Sequence, residues 1–346
     1  MRLGILTGGG DCPGLNAVIR AAVVRTVRTH EGQIVGFLDG WRGLIDGRTR
    51  ELSLETISGI LPRGGTMLRT SRVDPVRYAS EGLNSLRDAF RLHELDALLV
   101  CGGDGTLAAA NVLSEAGMPI IGLPKTIDND VPGTDYSFGF DTALTTVVRA
   151  VDALHSTAES HDRVIVVETM GRTGGWLAVC AGIAGGADVV VSPEEGMSVQ
   201  TVCDHIRHRR ARGRDFSIIV VAEGARFAPD PDGTTLETPQ RMDSLGRPRF
   251  GGVGEVLARE LEARLGIETR TVTLGYVQRG GTPTAFDRLL GTRMGIHAVD
   301  MASRGEVGRM VSLDGTNVTS VPLTVLREGP RAAPVALLET ARVFFG

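Results

Sequence analysis

A doubly wound α/β fold, with mainly parallel sheets covered by helices on both faces, is predicted from three observations. Short apolar runs alternate with segments of helical period along most of the 346 residues. Glycine-rich turns close several of those runs, where folds of this kind place their ligand loops. The length suits two domains or one large one, and 42% hydrophobic with 23% charged residues is ordinary for a soluble globular chain.

The first strand is expected over residues 3–6 and the first helix over 16–28, joined by Thr7-Gly-Gly-Gly-Asp-Cys-Pro-Gly-Leu-Asn16. An apolar run entering such a loop reads as a buried strand, not a signal peptide. Adjacent glycines let backbone N–H groups approach a phosphate, and the following helix adds its positive end. The loop is not a Walker A motif, because no Gly-Lys-Ser/Thr follows the glycines. A tight strand-to-helix turn explains one or two of these glycines but not all of them.

Strands follow over 34–37, 97–100 and 119–123, and helices over 82–92 and 107–115. Between them, Gly64-Gly-Thr-Met-Leu-Arg-Thr-Ser-Arg72, with Arg77 beyond, suits a phosphoryl clamp. Solvated surface arginines fit that stretch nearly as well. Cys101-Gly-Gly-Asp-Gly-Thr106 again joins a strand to a helix: Gly102, Gly103 and Gly105 open space for a phosphate chain, and Asp104 offers a hard oxygen suited to Mg²⁺. Thr106 suits either a helix cap or a phosphate contact. NAD kinases and lipid kinases use a similar loop, so alone it indicates a nucleotide phosphate and leaves the acceptor open.

The densest polar stretch is Gly122-Leu-Pro-Lys-Thr-Ile-Asp-Asn-Asp-Val-Pro-Gly-Thr-Asp135. It gathers Asp128, Asp130, Asp135, Thr126, Thr134 and Lys125 at the end of a buried strand. Lys125 is the only lysine among 37 basic residues. A compact ammonium kept in a chain that otherwise uses arginine points to a close-packed functional position.

Further on, helices are expected over 142–156, 201–212 and 253–265, and strands over 164–167, 189–191, 218–222 and 271–274. Glu168-Thr-Met-Gly-Arg-Thr-Gly-Gly-Trp176 and Leu274-Gly-Tyr-Val-Gln-Arg-Gly-Gly281 follow two of these strands, and Glu223 ends a third. Arg163, Arg172, Arg270 and Arg279 all flank strand ends or glycine turns, which suggests a second anionic ligand held away from the nucleotide. Residues 228–235 read as a polar surface loop, residues from 322 as a loosely patterned tail, and a domain division falls near residue 140.

Several classes are excluded. No run of about 18 apolar residues offers a membrane span. Cys12, Cys101, Cys180 and Cys203 lack metal-type spacing, so reduced thiols in a cytoplasm are expected. A formal charge of −4 gives no general attraction to nucleic acid.

Taken together, the Thr7–Asn16 loop, Gly102-Gly-Asp-Gly-Thr106, Pro124-Lys-Thr-Ile-Asp-Asn-Asp130, Met170-Gly-Arg172 and Gln278-Arg-Gly-Gly-Thr-Pro283 resemble the 6-phosphofructokinases in order and over nearly the whole chain. The ordering also resembles the actinobacterial-type branch that carries lysine before Thr-Ile-Asp. The resemblance implies two Rossmann-like domains, about 1–139 plus 279–325 for the nucleotide and about 140–278 plus the C-terminal tail for the sugar phosphate, with the active site in the cleft between them. It implies transfer of the ATP γ-phosphoryl to the C1 hydroxyl of fructose 6-phosphate, with Mg²⁺. Asp128 is then the general base, Thr126 orients the reacting groups, Arg172 stabilises the transferring group, and Lys125 stands beside them. Asp104 is the metal ligand, with Asp130 assisting through water. Gly10, Arg72, Gly103, Asp104, Gly105 and Thr106 match the donor site, while Thr126, Asp128, Arg163, Met170, Gly171, Arg172, Glu223, Arg270, Tyr276 and Arg279 match the acceptor site. In the family Arg163 and Arg270 come from a neighbouring subunit, which implies a homo-oligomer, a tetramer.

Three departures from the common pattern matter. Relatives that use pyrophosphate carry Asp where this chain has Gly105, which favours ATP; Lys125 points the other way, toward pyrophosphate. Tyr276 stands where His is common, and Thr173-Gly174 follows Met-Gly-Arg in place of bulkier pairs. These leave open a pyrophosphate-dependent enzyme, a kinase for a sugar such as sedoheptulose 7-phosphate, and, in another class, a non-catalytic sugar-phosphate sensor. Arg20, Asp188, Arg212 and Arg214 fall near the bacterial effector positions, but His155 replaces an arginine there. A first helix longer by one residue turns Arg25 about 100° out of phase. Weak or absent control by ADP or phosphoenolpyruvate follows.

Overall fold

The computed structural model describes residues 1–78, 82–238, 241–242 and 248–345. The chain divides into two compact units, Met1–Thr142 with Arg279–Pro330 and Ala143–Gln278 with Arg331–Gly346. In chain order the first unit supplies β1 (Arg2–Thr7), α1 (Leu15–His30), β2 (Gln33–Phe37), α2 (Trp41–Ile45), β3 (Thr49–Leu52), α3 (Pro75–Tyr78), α4 (Leu83–Leu92), β4 (Ala97–Gly102), α5 (Asp104–Glu115) and β5 (Ile120–Pro124). The chain continues through α6 (Phe140–Ser160), β6 (Val164–Thr169), α7 (Trp176–Gly185), β7 (Val189–Val191), α8 (Val199–Ala211) and β8 (Ser217–Ala222). Then come β9 (Arg241–Met242), β10 (Pro248–Arg249), α9 (Val253–Leu265) and β11 (Thr269–Thr273). It returns to the first unit for α10 (Ala285–Ser303), β12 (Arg309–Asp314) and β13 (Asn317–Pro322), and ends in the second with α11 (Val335–Arg342).

The sheet of the first unit runs β13-β12-β5-β4-β1-β2-β3. Its centre is parallel, and the edge strands β3 and β13 are antiparallel to their neighbours. Strands β1 and β4 are buried on both faces, which is why they read as unbroken apolar runs. Leu6, Leu98 and Val100 face a core shared with Trp41, Leu86, Phe90 and Leu107 of α2, α4 and α5. Leu3, Ile5 and Leu99, one residue out of register, are buried on the opposite face.

Along α1 lies α10, made close-fitting by two glycines. A Cβ on Gly295 would stand 2.8 Å from the Val18 carbonyl oxygen, and one on Gly291 would stand 3.1 Å from that of Gly14. Hydropathy gives no sign of α10: Leu290, Met294 and Val299 are buried, yet Phe286 and Leu289 on its open side are apolar as well.

Four parallel strands, in the order β11-β6-β8-β7, form the sheet of the second unit. Val164, Val166, Val189, Val191, Ile219 and Val221 pack there with Val202 and Ile206 of α8 and with Leu257 and Leu261 of α9. The tail expected from residue 322 is ordered instead: β13 reaches Pro322, a 3₁₀ turn covers Leu323–Glu328, and α11 buries Leu338 and Ala341. Among the described residues no helix is long and apolar enough to cross a membrane.

Candidate active site

Loops at the carboxyl ends of β1, β4 and β5, three adjacent strands, carry the donor-side residues. Each loop is fixed by backbone bonds to a neighbour. The Gly8 N–H donates to the Cys101 carbonyl at 2.9 Å, the Gly9 N–H to Ser71 at 3.0 Å, and the Lys125 N–H to Gly102 at 2.9 Å. The Thr70 hydroxyl adds a 2.6 Å bond to the Gly9 carbonyl, so the segment carrying exposed Arg72 lies along the Gly8–Gly10 loop. Close packing explains Gly8 and Gly102, because a Cβ on either would stand within 2.7 Å of the Thr106 side chain.

Gly103 precedes α5, and Asp104 opens the helix, its carboxylate accepting the Gly105 N–H at 2.6 Å. Gly105 differs from the other loop glycines. It is exposed, and a Cβ there would meet nothing within 4 Å.

Past β5 the chain turns back on itself. The Thr126 hydroxyl accepts the Asp128 N–H at 3.0 Å, and Asn129 takes a left-handed φ of 51°. Asn129 is locked there by the Ser137 N–H at 3.0 Å and by its own amide donating to the Asp135 carbonyl at 3.2 Å. A non-glycine residue held at positive φ beside a candidate base is strain placed at a site. Burial raises the Asp128 carboxyl above its ordinary value, opposed by Arg279, Thr126 and Lys125 and helped by Asp104. These five side chains therefore share one electrostatic neighbourhood.

Lys125 is only 3% exposed, and its ammonium donates to the Gly10 carbonyl. Burial, with Arg279 in support, lowers its pKa against the pull of Cys12 and Asp128. Arg279 donates weakly to the Asp11 carbonyl at 3.4 Å and lies against Gly10, where a Cβ would stand 1.8 Å from its Nη1. Within the first unit, then, Gly10, Lys125, Asp128 and Arg279 form one cluster.

In the second unit the predicted acceptor residues fall into two groups at opposite ends of the sheet. At the carboxyl ends, Met170, Gly171 and Arg172 follow β6, Glu223 follows β8 and Tyr276 follows β11. Gly171 has φ 146° and Arg172 φ 55°. The Glu223 carboxylate accepts the Arg172 N–H at 3.0 Å, and the Glu223 N–H donates to Thr169 at 2.8 Å. At the amino ends, Arg163 precedes β6 and Arg270 is the second residue of β11. Both pair with Glu268, Arg163 at 2.8 Å. About 20 Å of extended strand separates the two groups. Arg172 therefore sits at one end of the sheet, Arg163 and Arg270 at the other.

Three contributors carry no role in the sequence reading. Gln278 is fully buried and accepts the Met170 N–H at 3.2 Å while donating to the Gly275 carbonyl at 3.0 Å, which ties the Tyr276 turn to the Arg172 loop. Glu194 accepts the Gly175 N–H at 2.7 Å on the far side of that loop. Gly224 is a contact glycine whose Cβ would stand 1.9 Å from the Arg172 carbonyl oxygen. Gly224→Ala is expected to destabilise the fold by about 1–3 kcal/mol and to lower kcat by displacing Arg172. Denaturant unfolding together with steady-state rates checks this, and unchanged values of both would contradict the contact.

Glycine loops over helix starts at the carboxyl ends of parallel strands, with a carboxylate turn beside them, suit the binding of phosphate groups. The phosphofructokinase family model matches residues 2–302. The chain is 48% identical over 347 residues to the pyrophosphate–fructose 6-phosphate 1-phosphotransferase of Streptomyces coelicolor, covering 100% of both chains. It is also 48% identical over 345 residues to ATP-dependent 6-phosphofructokinase 2 of the same organism, again covering 100% of both. Among solved structures it resembles Pichia pastoris phosphofructokinase in the T-state, with a TM-score of 0.81 and 31% identity, over 99% of this chain and 36% of that one. The chain thus spans about a third of the length of the fungal protein. This chain belongs to the phosphofructokinase family, and it is a kinase.

Proposed function

We propose that the chain transfers the γ-phosphoryl group of ATP to the C1 hydroxyl of fructose 6-phosphate, giving fructose 1,6-bisphosphate. Overall identity does not separate the two donors, since relatives named for ATP and for pyrophosphate are equally similar. The observation that carries the reading is the open space above Gly105, where an added Cβ meets nothing within 4 Å. That space suits the α-phosphate of a nucleotide, and no side chain of the loop fills it.

In this reading Asp128 accepts the C1 hydroxyl proton as that oxygen attacks the γ-phosphorus in line. Its raised pKa strengthens it as a base. Thr126 fixes the Asp128 backbone, and Lys125 and Arg279 supply positive charge beside it. Arg172 stabilises charge on the transferring group, held by Glu223. Asp104 fits Mg²⁺: it is a hard oxygen donor at a helix start, and among the described residues no cluster of three or more His, Cys, Asp or Glu is built to cage a metal. Mg²⁺ typically takes one or two carboxylates, with water and substrate phosphates completing its shell. When bound, it neutralises charge on the donor phosphates.

The separation of Arg163 and Arg270 from Met170–Arg172 supports a homo-oligomer, a tetramer by resemblance. One bound sugar phosphate meets both groups only if a second copy supplies the arginines. Glycolytic chemistry of this kind belongs in the cytoplasm.

A second reading, pyrophosphate as donor, is favoured by Lys125, which is held beside Gly10 rather than swung into solvent. A seven-carbon acceptor is favoured by Tyr276, 75% exposed at its strand end. One steady-state assay crossing ATP and pyrophosphate with six- and seven-carbon ketose phosphates tests all three. A preference for pyrophosphate by orders of magnitude would overturn the ATP assignment.

Allosteric control is expected to be weak. Arg25 forms a bidentate pair with Asp300 at 2.7 and 3.0 Å, Asp188 pairs with Arg209 at 2.9 Å, and His155 bonds the Gly185 carbonyl at 2.8 Å. These polar groups are engaged within the chain. ADP and phosphoenolpyruvate should change the rate of the purified enzyme by less than about fivefold, the lower edge of ordinary coupling. Strong activation by either would refute this.

A further inference from the structure

Beyond the family match, which ends at residue 302, the chain carries a C-terminal segment docked on the second unit. We propose that this segment, acting through Glu194, positions the Arg172 loop for catalysis, with Glu194 as the positioning residue. The proposal rests on the reading above, in which Arg172 acts on the transferring group.

Glu194 follows β7 in a short turn closed by a bridge between Ser192 and Glu195. One of its carboxylate oxygens, Oε1, accepts two N–H groups at once, Gly175 at 2.7 Å and Ala333 at 2.9 Å. Gly175 ends the loop that begins with Met170 and holds Arg172 in its left-handed conformation. Ala333 belongs to the C-terminal segment. A single oxygen atom therefore joins the two.

The same segment is gripped at three further points. The Trp176 Nε1–H donates to the Arg331 carbonyl at 3.0 Å, and the Arg331 guanidinium stacks 4.3 Å above the Trp176 ring. Arg342 pairs with Glu195, the next residue in the Glu194 turn.

The fit at Gly175 is close. A Cβ there would stand 2.3 Å from Glu194 Oε2, so the carboxylate lies flat against the loop backbone. That second oxygen is buried and has no hydrogen-bond donor among the described residues. Arg172 is thus set from both sides, by Glu223 at its own N–H and by Glu194 at Gly175. Small displacements of such a group are costly, since about 1 Å of misplacement lowers rates by about 100-fold.

The test compares full-length wild type with Glu194→Ala, Glu194→Gln and Trp176→Phe in steady-state assays with ATP and fructose 6-phosphate. Glu194→Ala is expected to lower kcat by about 10- to 100-fold while leaving the KM for ATP near wild type, because no donor loop shares these contacts. Glu194→Gln keeps an oxygen that accepts both N–H groups and should restore kcat close to wild type. Trp176→Phe removes the indole donor and part of the ring under Arg331, and should give a smaller loss of kcat in the same direction. A folded Glu194→Ala with wild-type kcat, or a Glu194→Gln as impaired as Glu194→Ala, would overturn the proposal. If Glu194→Ala does not fold, an unchanged kcat in Trp176→Phe does so. Failure of the kinase reading looks different: the wild type itself would then turn over neither substrate.

Discussion

Replacing Asp128 by Asn is expected to lower kcat by about 10²- to 10⁴-fold, the usual contribution of a positioned base, with sugar-phosphate binding retained. The same substitution should make the fold more stable at neutral pH. Burial raises the Asp128 pKa, so folding disfavours the ionised carboxyl relative to the unfolded chain. The sign follows from proton counts. Between the unfolded value near 3.8 and the raised folded value, the folded chain binds the extra proton, so stability falls as pH rises through that window. Above the window the penalty is complete. Asp128→Asn should therefore be more stable than wild type at pH 7, and the gap should close as pH approaches the unfolded value. In parallel, the acid limb of kcat/KM should report a pKa above 3.8 in wild type and vanish in the variant. Wild-type turnover in Asp128→Asn would remove Asp128 from the chemistry. A variant equally stable at both pH values would show that the carboxyl is not strained by burial.

Gly105→Asp should reduce kcat/KM for ATP by about 100-fold or more while leaving the KM for the sugar phosphate near wild type. A carboxylate there would occupy the open space above α5 and repel the nucleotide's innermost phosphate, and like charges brought together cost several kcal/mol. The backbone at this position accepts the substitution. A Cβ at Gly105 meets no atom within 4 Å, its φ is not left-handed, and an acidic residue in the first turn of a helix is favoured by the helix dipole. Thermal unfolding should show no loss of stability, which isolates donor choice as the property changed. Equal ATP kinetics in the variant and the parent would show that the nucleotide lies elsewhere.

The donor side of the site was legible because its residues are local. Each loop runs from a buried apolar strand through glycines into a helix, and proximity in sequence becomes proximity in space. The rule that ligands gather at the carboxyl ends of parallel strands singles out the loops of Asp104, Thr126 and Asp128, while the roles expected of Thr126 and Asp128 come from the resemblance. The acceptor side was legible in part. Arg163, Arg172 and Arg270 all flank strands, but composition does not weigh which end matters, and the parallel register of β6 and β11 places two of them away from the third. Gln278 and Glu194 make long-range bonds to Met170 and Gly175, and no local pattern marks a side chain for such contacts. Among the elements, α7 and α10 escaped because apolar residues occur all around them and erase the helical period. The tail escaped because α11 is short and amphipathic only against its own unit.

Chemical modification experiments inherit a constraint from Lys125, the single lysine of the sequence and one shielded from solvent. Reagents that acylate amines will find almost nothing on the outside of the native protein apart from a chain terminus, so amine-to-amine cross-linking is a blind test of assembly. Carboxylate-directed or arginine-directed reagents are the appropriate choice for mapping assembly. The same scarcity is useful in another respect: acylation appearing at that one side chain reports its exposure, with no other lysine to confuse the signal.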